Sequence, residues 1–265
     1  MWLILIIILG LISGSFLTAF IDRFKDGRNF IIGRSECDNC HKSLTALDLI
    51  PLISWLLLRG KCRHCQQVIR PYYPLVELFT ASLFTLFYLW WPFSFVGWDL
   101  GLFALWLIIL IILLALMIYD WRWFILPNQL TYLGIILAFV VIGLRFLAGH
   151  DLHWLDLIIS PLIGGGIFYI IFQISEKYIG GGDVKLGFLI GLLLSDWQLA
   201  ILMIFLSSLL GVFISLPRII IHIKQKRHLS AQIPFGPFLI ISCWLCFWFG
   251  QSIIDWYLSL RPEMV

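Results

Sequence analysis

Three carboxylates stand in or beside long apolar runs: Glu77, Asp120 and Asp183. An acid in such a place costs about 2.5 to 3.5 kcal/mol on membrane-insertion scales, so each needs a reason to be there. Asp120 closes an apolar run within Tyr119-Asp120-Trp121-Arg122-Trp123, seven residues ahead of the helix-breaking Pro127. Asp183 follows Gly180-Gly181-Gly182, where missing Cβ atoms permit unusual dihedrals and the close approach of another helix. The two aspartates are 63 positions apart, yet counting spans puts both at cytoplasmic helix ends, where they can meet. Two carboxylates brought to about 3 Å cannot both stay ionised. Such a pair holds one proton and acts as base and acid on a shared water, which is amide hydrolysis without a metal or a covalent intermediate. Local readings compete: pairing with Arg122 or interfacial solvation for Asp120, and a helix N-cap for Asp183. Glu77, one turn into its run, could pair with an arginine of the preceding polar block or line a site.

Four of the six cysteines stand as Cys37-x2-Cys40 and Cys62-x2-Cys65 inside the polar block Asp22 to Arg70. Two such pairs can give four thiolates to one tetrahedral zinc, and the 21-residue gap lies just beyond the usual range. Charge places the block in the cytoplasm, where disulfides are rare and metal binding is the commoner fate of paired cysteines. Four thiolates leave no open position, so such a zinc would fold the loop and would not activate water. The alternatives are a redox-active pair, which would want a thioredoxin-like βαβ context that is absent, and incidental free thiols. His41 and His64 adjoin the pairs as substitute ligands or solvated neighbours. Cys243 and Cys246 repeat the spacing inside an apolar run, where small residues one turn apart serve helix packing.

The elements that must position these groups are membrane spans. Of 265 residues, 61% are hydrophobic and 12% charged, against about 25% charged in soluble domains. Soluble and disordered chains are both excluded by that balance. Apolar runs at 1–20, 72–91, 99–119, 129–149, 157–175, 184–195, 197–217 and 234–254 make eight candidates in an all-α membrane bundle of about eight spans. The run 184–195 is short, reaching only about 18 Å as a helix, so it is a half-helix or draws its first turn from the glycines before it. No basic n-region precedes the first run, which reads as a retained anchor with its N-terminus outside. That orientation puts 16 of 18 Lys and Arg on the cytoplasmic side, as the positive-inside rule requires, and returns the C-terminus outside. Trp90, Trp91, Trp98, Trp121, Trp123, Trp154 and Trp197 gather at run ends, as in an interfacial belt. The formal charge of +3 supports no nucleic-acid partner. The resulting division is an anchor at 1–20, a cytoplasmic four-cysteine loop at 21–71, a second span and outer loop at 72–98, a span domain at 99–254 and an external tail at 255–265.

With these residues in place, the chain resembles the type IV prepilin peptidases, also called prepilin leader peptidase/N-methyltransferases. The resemblance rests on GSFL at 14–17 leading to Asp22-Arg23, the two cysteine pairs, DLIPLISWLLLRGKCRHC at 48–65, YPLVEL at 73–78, Asp120 through LPNQLT to Thr131, GGGDVKL at 180–186 and PFGPFL at 234–239. It implies an intramembrane aspartic peptidase of the bacterial inner membrane with Asp120 and Asp183 as catalytic residues. The implied substrates are prepilins and pseudopilins, cut after the Gly that ends a short basic leader. It also implies S-adenosylmethionine-dependent methylation of the new N-terminus, tied to the cysteine loop. Glu77, beside that loop, is the candidate for the methyl-transfer site. Members often carry Asn after GSFL, where this chain has Thr18, a departure that touches the methyl-transfer site and leaves the peptidase assignment intact. A peptidase without methylation and a non-enzymatic scaffold or transporter with a zinc docking loop are the alternatives.

Overall fold

A computed structural model describes residues 1–27, 35–37, 39–174, 180–224 and 233–260, with side chains described up to 216 in the next-to-last stretch. Of the charge tally, Arg28, Arg34, Lys177, Lys226, Arg227 and Arg261, with the side chains of Arg218 and Lys224, lie outside these. The described residues are helical, with two isolated β-bridges and no longer strand. Nine helices are described: α1 (Trp2–Lys25), α2 (Ile53–Leu57), α3 (Tyr72–Leu89), α4 (Trp98–Trp123), α5 (Asn128–Leu147), α6 (Trp154–Ile174), α7 (Gly181–Leu194), α8 (Trp197–Lys224) and α9 (Gly236–Ser259). Seven are long and apolar enough to cross a membrane: α1, α3, α4, α5, α6, α8 and α9. The eighth apolar run is α7, whose 14 residues begin at Gly181. It does draw its first turn from the glycines, because they provide helical backbone ahead of Val184.

The chain forms two compact units, Met1–Ser94 and Phe95–Val265. In the first, α1 packs antiparallel on α3, and Gly10 and Gly14 make the crossing close. A Cβ on Gly14 would stand 2.7 Å from the Cα of Glu77, and one on Gly10 would stand 2.6 Å from that of Ala81. This is the four-residue small-residue spacing by which membrane helices approach without a hydrophobic driving force.

In the second unit the helices alternate in direction. The end of α4 and the starts of α5, α7 and α9 lie together, since Asp120 reaches the start of α9 and lines one cavity with Asn128 and Asp183. Two helices form the interior. Along α4, fourteen residues from Leu102 to Asp120 are buried, and α7 is buried from Leu186 to Leu194, packed among α5, α6, α8 and α9. Gly164 of α6 faces Gly187 of α7 backbone to backbone, which lets α6 run tightly along the short helix. The seven tryptophans divide: Trp90, Trp98, Trp121, Trp154 and Trp197 are exposed, as an interfacial belt requires, Trp123 is half-buried, and Trp91 is buried with its ring 5.4 Å from that of Phe93. Cys243 and Cys246 are buried in α9.

Candidate active site and cysteine cluster

The α4 helix carries Asp120 to within one turn of its end. Phe124 then takes a left-handed conformation (φ 55°), its N–H bonding the carbonyl of Asp120, and Pro127 caps the start of α5. Asp120 is buried, and its Oδ2 accepts the backbone N–H of Gly236 at 2.8 Å. The contact requires glycine: a Cβ there would stand 2.7 Å from the same oxygen. Arg122 lies with its guanidinium 4.5 Å over the ring of Trp123.

Asp183 is the third residue of α7. The N-cap is Gly180, whose carbonyl accepts the Asp183 N–H at 3.0 Å, so the carboxylate makes no capping bond. Its Oδ1 is buried with no protein partner. None of the three glycines has a positive φ, and Gly180 is ordinary extended backbone. What the triplet provides is room. A Cβ on Gly182 would come within 2.9 Å of Leu126, the residue preceding Pro127, so Gly182 lets the α4–α5 connection close over the start of α7.

Asp120 and Asp183 line one cavity of about 250 Å³, together with Phe124, Ile125, Leu126, Asn128, Gly180 and Gly182. They are near enough for their charges to interact. At the rim Lys185 donates to Asn128 Oδ1 at 2.7 Å and lies 5.3 Å over the Tyr132 ring, tying α7 to α5. Two carboxyl groups, one held by an N–H and one with an unpartnered oxygen, facing a cavity roomy enough for water and peptide, can do acid–base hydrolysis. Gly236 escaped sequence reasoning. It was marked only as part of the PFGPFL segment at 234–239, with no role assigned to it.

The other cluster lies in the first unit. The Sγ atoms of Cys37, Cys40, Cys62 and Cys65 all lie within 4.8 Å of one another. Those of Cys37 and Cys65 are 3.8 Å apart, the edge expected for a tetrahedron with metal–sulfur distances of about 2.3 Å. Neither His41 nor His64 joins the group. The two halves have the same backbone pattern. Cys37 N–H bonds Lys42 O and His41 N–H bonds Cys37 O, while Cys62 N–H bonds Gln67 O and Gln66 N–H bonds Cys62 O. His41 and Gln66 take matching left-handed conformations, φ 54° and 59°. The Gln67 backbone N–H, followed by the Asn39 side chain, pulls the Cys65 thiol down to about 6, favouring the thiolate a metal needs. The donor set therefore fits a four-thiolate metal. Asp48 braces the loop: the Thr45 hydroxyl and Arg63 hold its carboxyl below the usual range, and Arg63 Nε donates to it at 2.8 Å.

Glu77 does not reach the cysteines' arginines by any contact described. It is buried on α3, where the backbone N–H of Leu52 donates to its Oε2 at 2.8 Å.

Residues 8–91 match the model of the bacterial peptidase A24 N-terminal domain, and residues 107–216 match that of the type IV leader peptidase family. The chain is 36% identical over 242 residues to a prepilin leader peptidase/N-methyltransferase of Aeromonas hydrophila, covering 87% of this chain and 77% of that one. A protein of the same description from Bacillus subtilis (strain 168) is 30% identical over 261 residues, covering 97% and 98%. One from Stutzerimonas stutzeri is 30% identical over 278 residues, covering 96% and 92%. No solved structure gives a significant match.

Proposed function

The chain belongs to the type IV leader peptidase family, and on that premise we propose that it is a multi-pass inner-membrane enzyme that cuts the leader from type IV prepilins or pseudopilins after Gly and methylates the exposed amine. The observation that carries the cleavage step is that Asp120 and Asp183 line one cavity. In the proposed reaction they share one proton and a water. The ionised carboxylate takes a proton from the water as its oxygen attacks the scissile carbonyl, and the other carboxyl gives its proton to the developing oxyanion. Proton return to the amine then releases the leader. The Gly236 N–H orients Asp120 during this exchange, while the unpartnered Oδ1 of Asp183 is available to the water or the substrate carbonyl. The charge tally supports an active site on the cytoplasmic side with both termini outside, because a basic leader stays in the cytoplasm.

For the second activity, the four cysteines would hold a structural zinc that folds the loop, and S-adenosylmethionine would supply the methyl group when bound. Glu77 is proposed to belong to the methyl-transfer site, supported by its tie from α3 to the loop at Leu52. The test co-expresses a prepilin with Asp120→Asn or Asp183→Asn and follows its gel mobility. Loss of processing at normal protein levels is the expected result. Processing that persists in both variants ends the two-aspartate mechanism. Mass spectrometry of the mature pilin shows whether its N-terminus gains a methyl group.

A further inference from the structure

Between the two cysteine pairs runs Leu49-Ile50-Pro51-Leu52-Ile53-Ser54-Trp55-Leu56-Leu57-Leu58, ten residues without a charge. It is about half the length of a membrane span. A water-facing loop would turn these side chains inward, and this one leaves half of them, Leu49, Ile50, Ile53, Leu56 and Leu57, exposed. The short helix α2 buries Ser54 and turns Trp55 inward, its ring beside Gly60 and its Nε1 donating to the carbonyl of Ile69 at 3.4 Å. Outward it presents Ile53, Leu56 and Leu57, three residues of one helical face that are 55%, 64% and 78% exposed. Leu47, Leu49 and Ile50, just before it, are exposed as well. A contiguous apolar face of this kind marks a contact surface.

The tie at Leu52 indicates what covers it. The acceptor, Glu77, is the sixth residue of α3, so the start of α2 stands level with a point about 7 Å inside a membrane-spanning helix. Cationic residues flank the apolar face along the chain: Arg59 and Lys61 follow it, and Arg70 stands two residues ahead of α3. Apolar side chains at that depth with Lys and Arg at their margin match the boundary between acyl chains and anionic headgroups.

We propose that α2 and the residues 47–50 before it lie in the lipid interface of the leaflet that holds the Tyr72 end of α3, with Ile53, Leu56 and Leu57 in the acyl region. The cysteine loop then has a third, half-submerged attachment besides α1 and α3, which fixes the paired cysteines against the membrane surface. The inference rests on α3 being a span and not on the proposed activity.

The photoreactive residue p-benzoylphenylalanine, placed at Leu57 or separately at Ile53 of the full-length chain in vesicles of phosphatidylglycerol and phosphatidylethanolamine, tests this. Leu78, exposed on α3, is the lipid-facing reference, and Asp26, exposed beyond α1, is the aqueous one. After irradiation, phospholipid adducts at Ile53 and Leu57 should match Leu78 in yield and exceed Asp26 several-fold. Adducts only to other segments of the chain would mean that protein covers the face. No adduct at either position, with Leu78 reacting normally, would mean that water does. Either result overturns the proposal.

Discussion

Replacing Gly236 with alanine tests the geometry of the proposed active site at its tightest point. The added Cβ would stand 2.7 Å from Asp120 Oδ2, where ordinary contacts begin near 3.4 Å. The carboxylate or the start of α9 must therefore retreat by about 0.7 Å, stretching the 2.8 Å bond from the Gly236 N–H out of hydrogen-bonding range. A hydrogen bond to a charged group is worth about 1.5 to 3 kcal/mol, which at about 1.4 kcal/mol per decade is roughly a 10- to 150-fold fall in kcat/KM. The assay is the initial rate of prepilin cleavage by purified Gly236→Ala in detergent. Gly143→Ala on α5, where a Cβ meets nothing within 4 Å, serves as the helix-glycine control and should cleave normally. Because the loss acts through one carboxylate, adding Gly236→Ala to Asp120→Asn should cost little more than Asp120→Asn alone. Wild-type cleavage by a folded Gly236→Ala variant would refute the claim that this N–H positions Asp120.

The remaining predictions concern other contacts. Lys185→Met removes the bond to Asn128 that ties α7 to α5; the loss is about 1 kcal/mol, so kcat/KM should fall roughly fivefold and recover in Lys185→Arg, measured with the same assay. Gly187→Leu puts a side chain against the Gly164 backbone and should destabilise the second unit by at least 1 to 3 kcal/mol, the usual cost of overpacking, read as a lower melting temperature. Metal analysis of the purified chain should return about one zinc per chain, falling to a small fraction in Cys37→Ser or Cys62→Ser; a full complement in those variants would contradict the four-thiolate site. Glu77→Ala strips the Leu52 N–H of its acceptor and should reduce pilin methylation more than leader cleavage, comparing mass spectrometry with gel mobility.

Much of this molecule is legible in the sequence because membranes penalise exceptions. Asp120 and Asp183 stand out as charges where charge is expensive, and the four cysteines as pairs at ligand spacing. The run at α7 was visible as too short for a span, but whether it was a half-helix or took its first turn from the glycines was left to the structure, where the helix begins at Gly181. Gly236 was legible only as a member of the PFGPFL segment, and its role was not. A glycine carries no charge anomaly, and its value lies in a contact with a residue 116 positions away. The outward face of α2 was hidden for another reason. The ten uncharged residues 49–58 that contain it fall below the length that announces a span, and they sit within a block that reads as polar on average. Glu77 was visible as an exception, but its acceptor role toward Leu52 was not, because that bond joins a side chain to a backbone N–H across the loop.

The shortness of α7 also bears on how water and peptide reach an acid at membrane depth. Its 14 residues rise about 21 Å, against about 30 Å for the hydrocarbon core. With Ser195 and the exposed Trp197 at the level of one interface, the start of α7 falls roughly 9 Å short of the other. The neighbouring α4, at 26 residues and about 39 Å, has no such shortfall. Non-helical backbone at Gly180 therefore lies at a depth where it is tolerated only if buried in protein or lining a watered cavity, and Gly180 does line the cavity shared by the two aspartates. A full-length α7 would close that space with helix. On the proposed mechanism, the space before α7 is where an extended strand of substrate would lie beside the two carboxyl groups. Extending α7 by replacing Gly180 and Gly181 with alanines should favour helix there by about 1 kcal/mol per residue and reduce cleavage while leaving the fold intact. Unchanged kcat/KM in a folded Gly180→Ala/Gly181→Ala chain would show that the opening does not depend on the glycines.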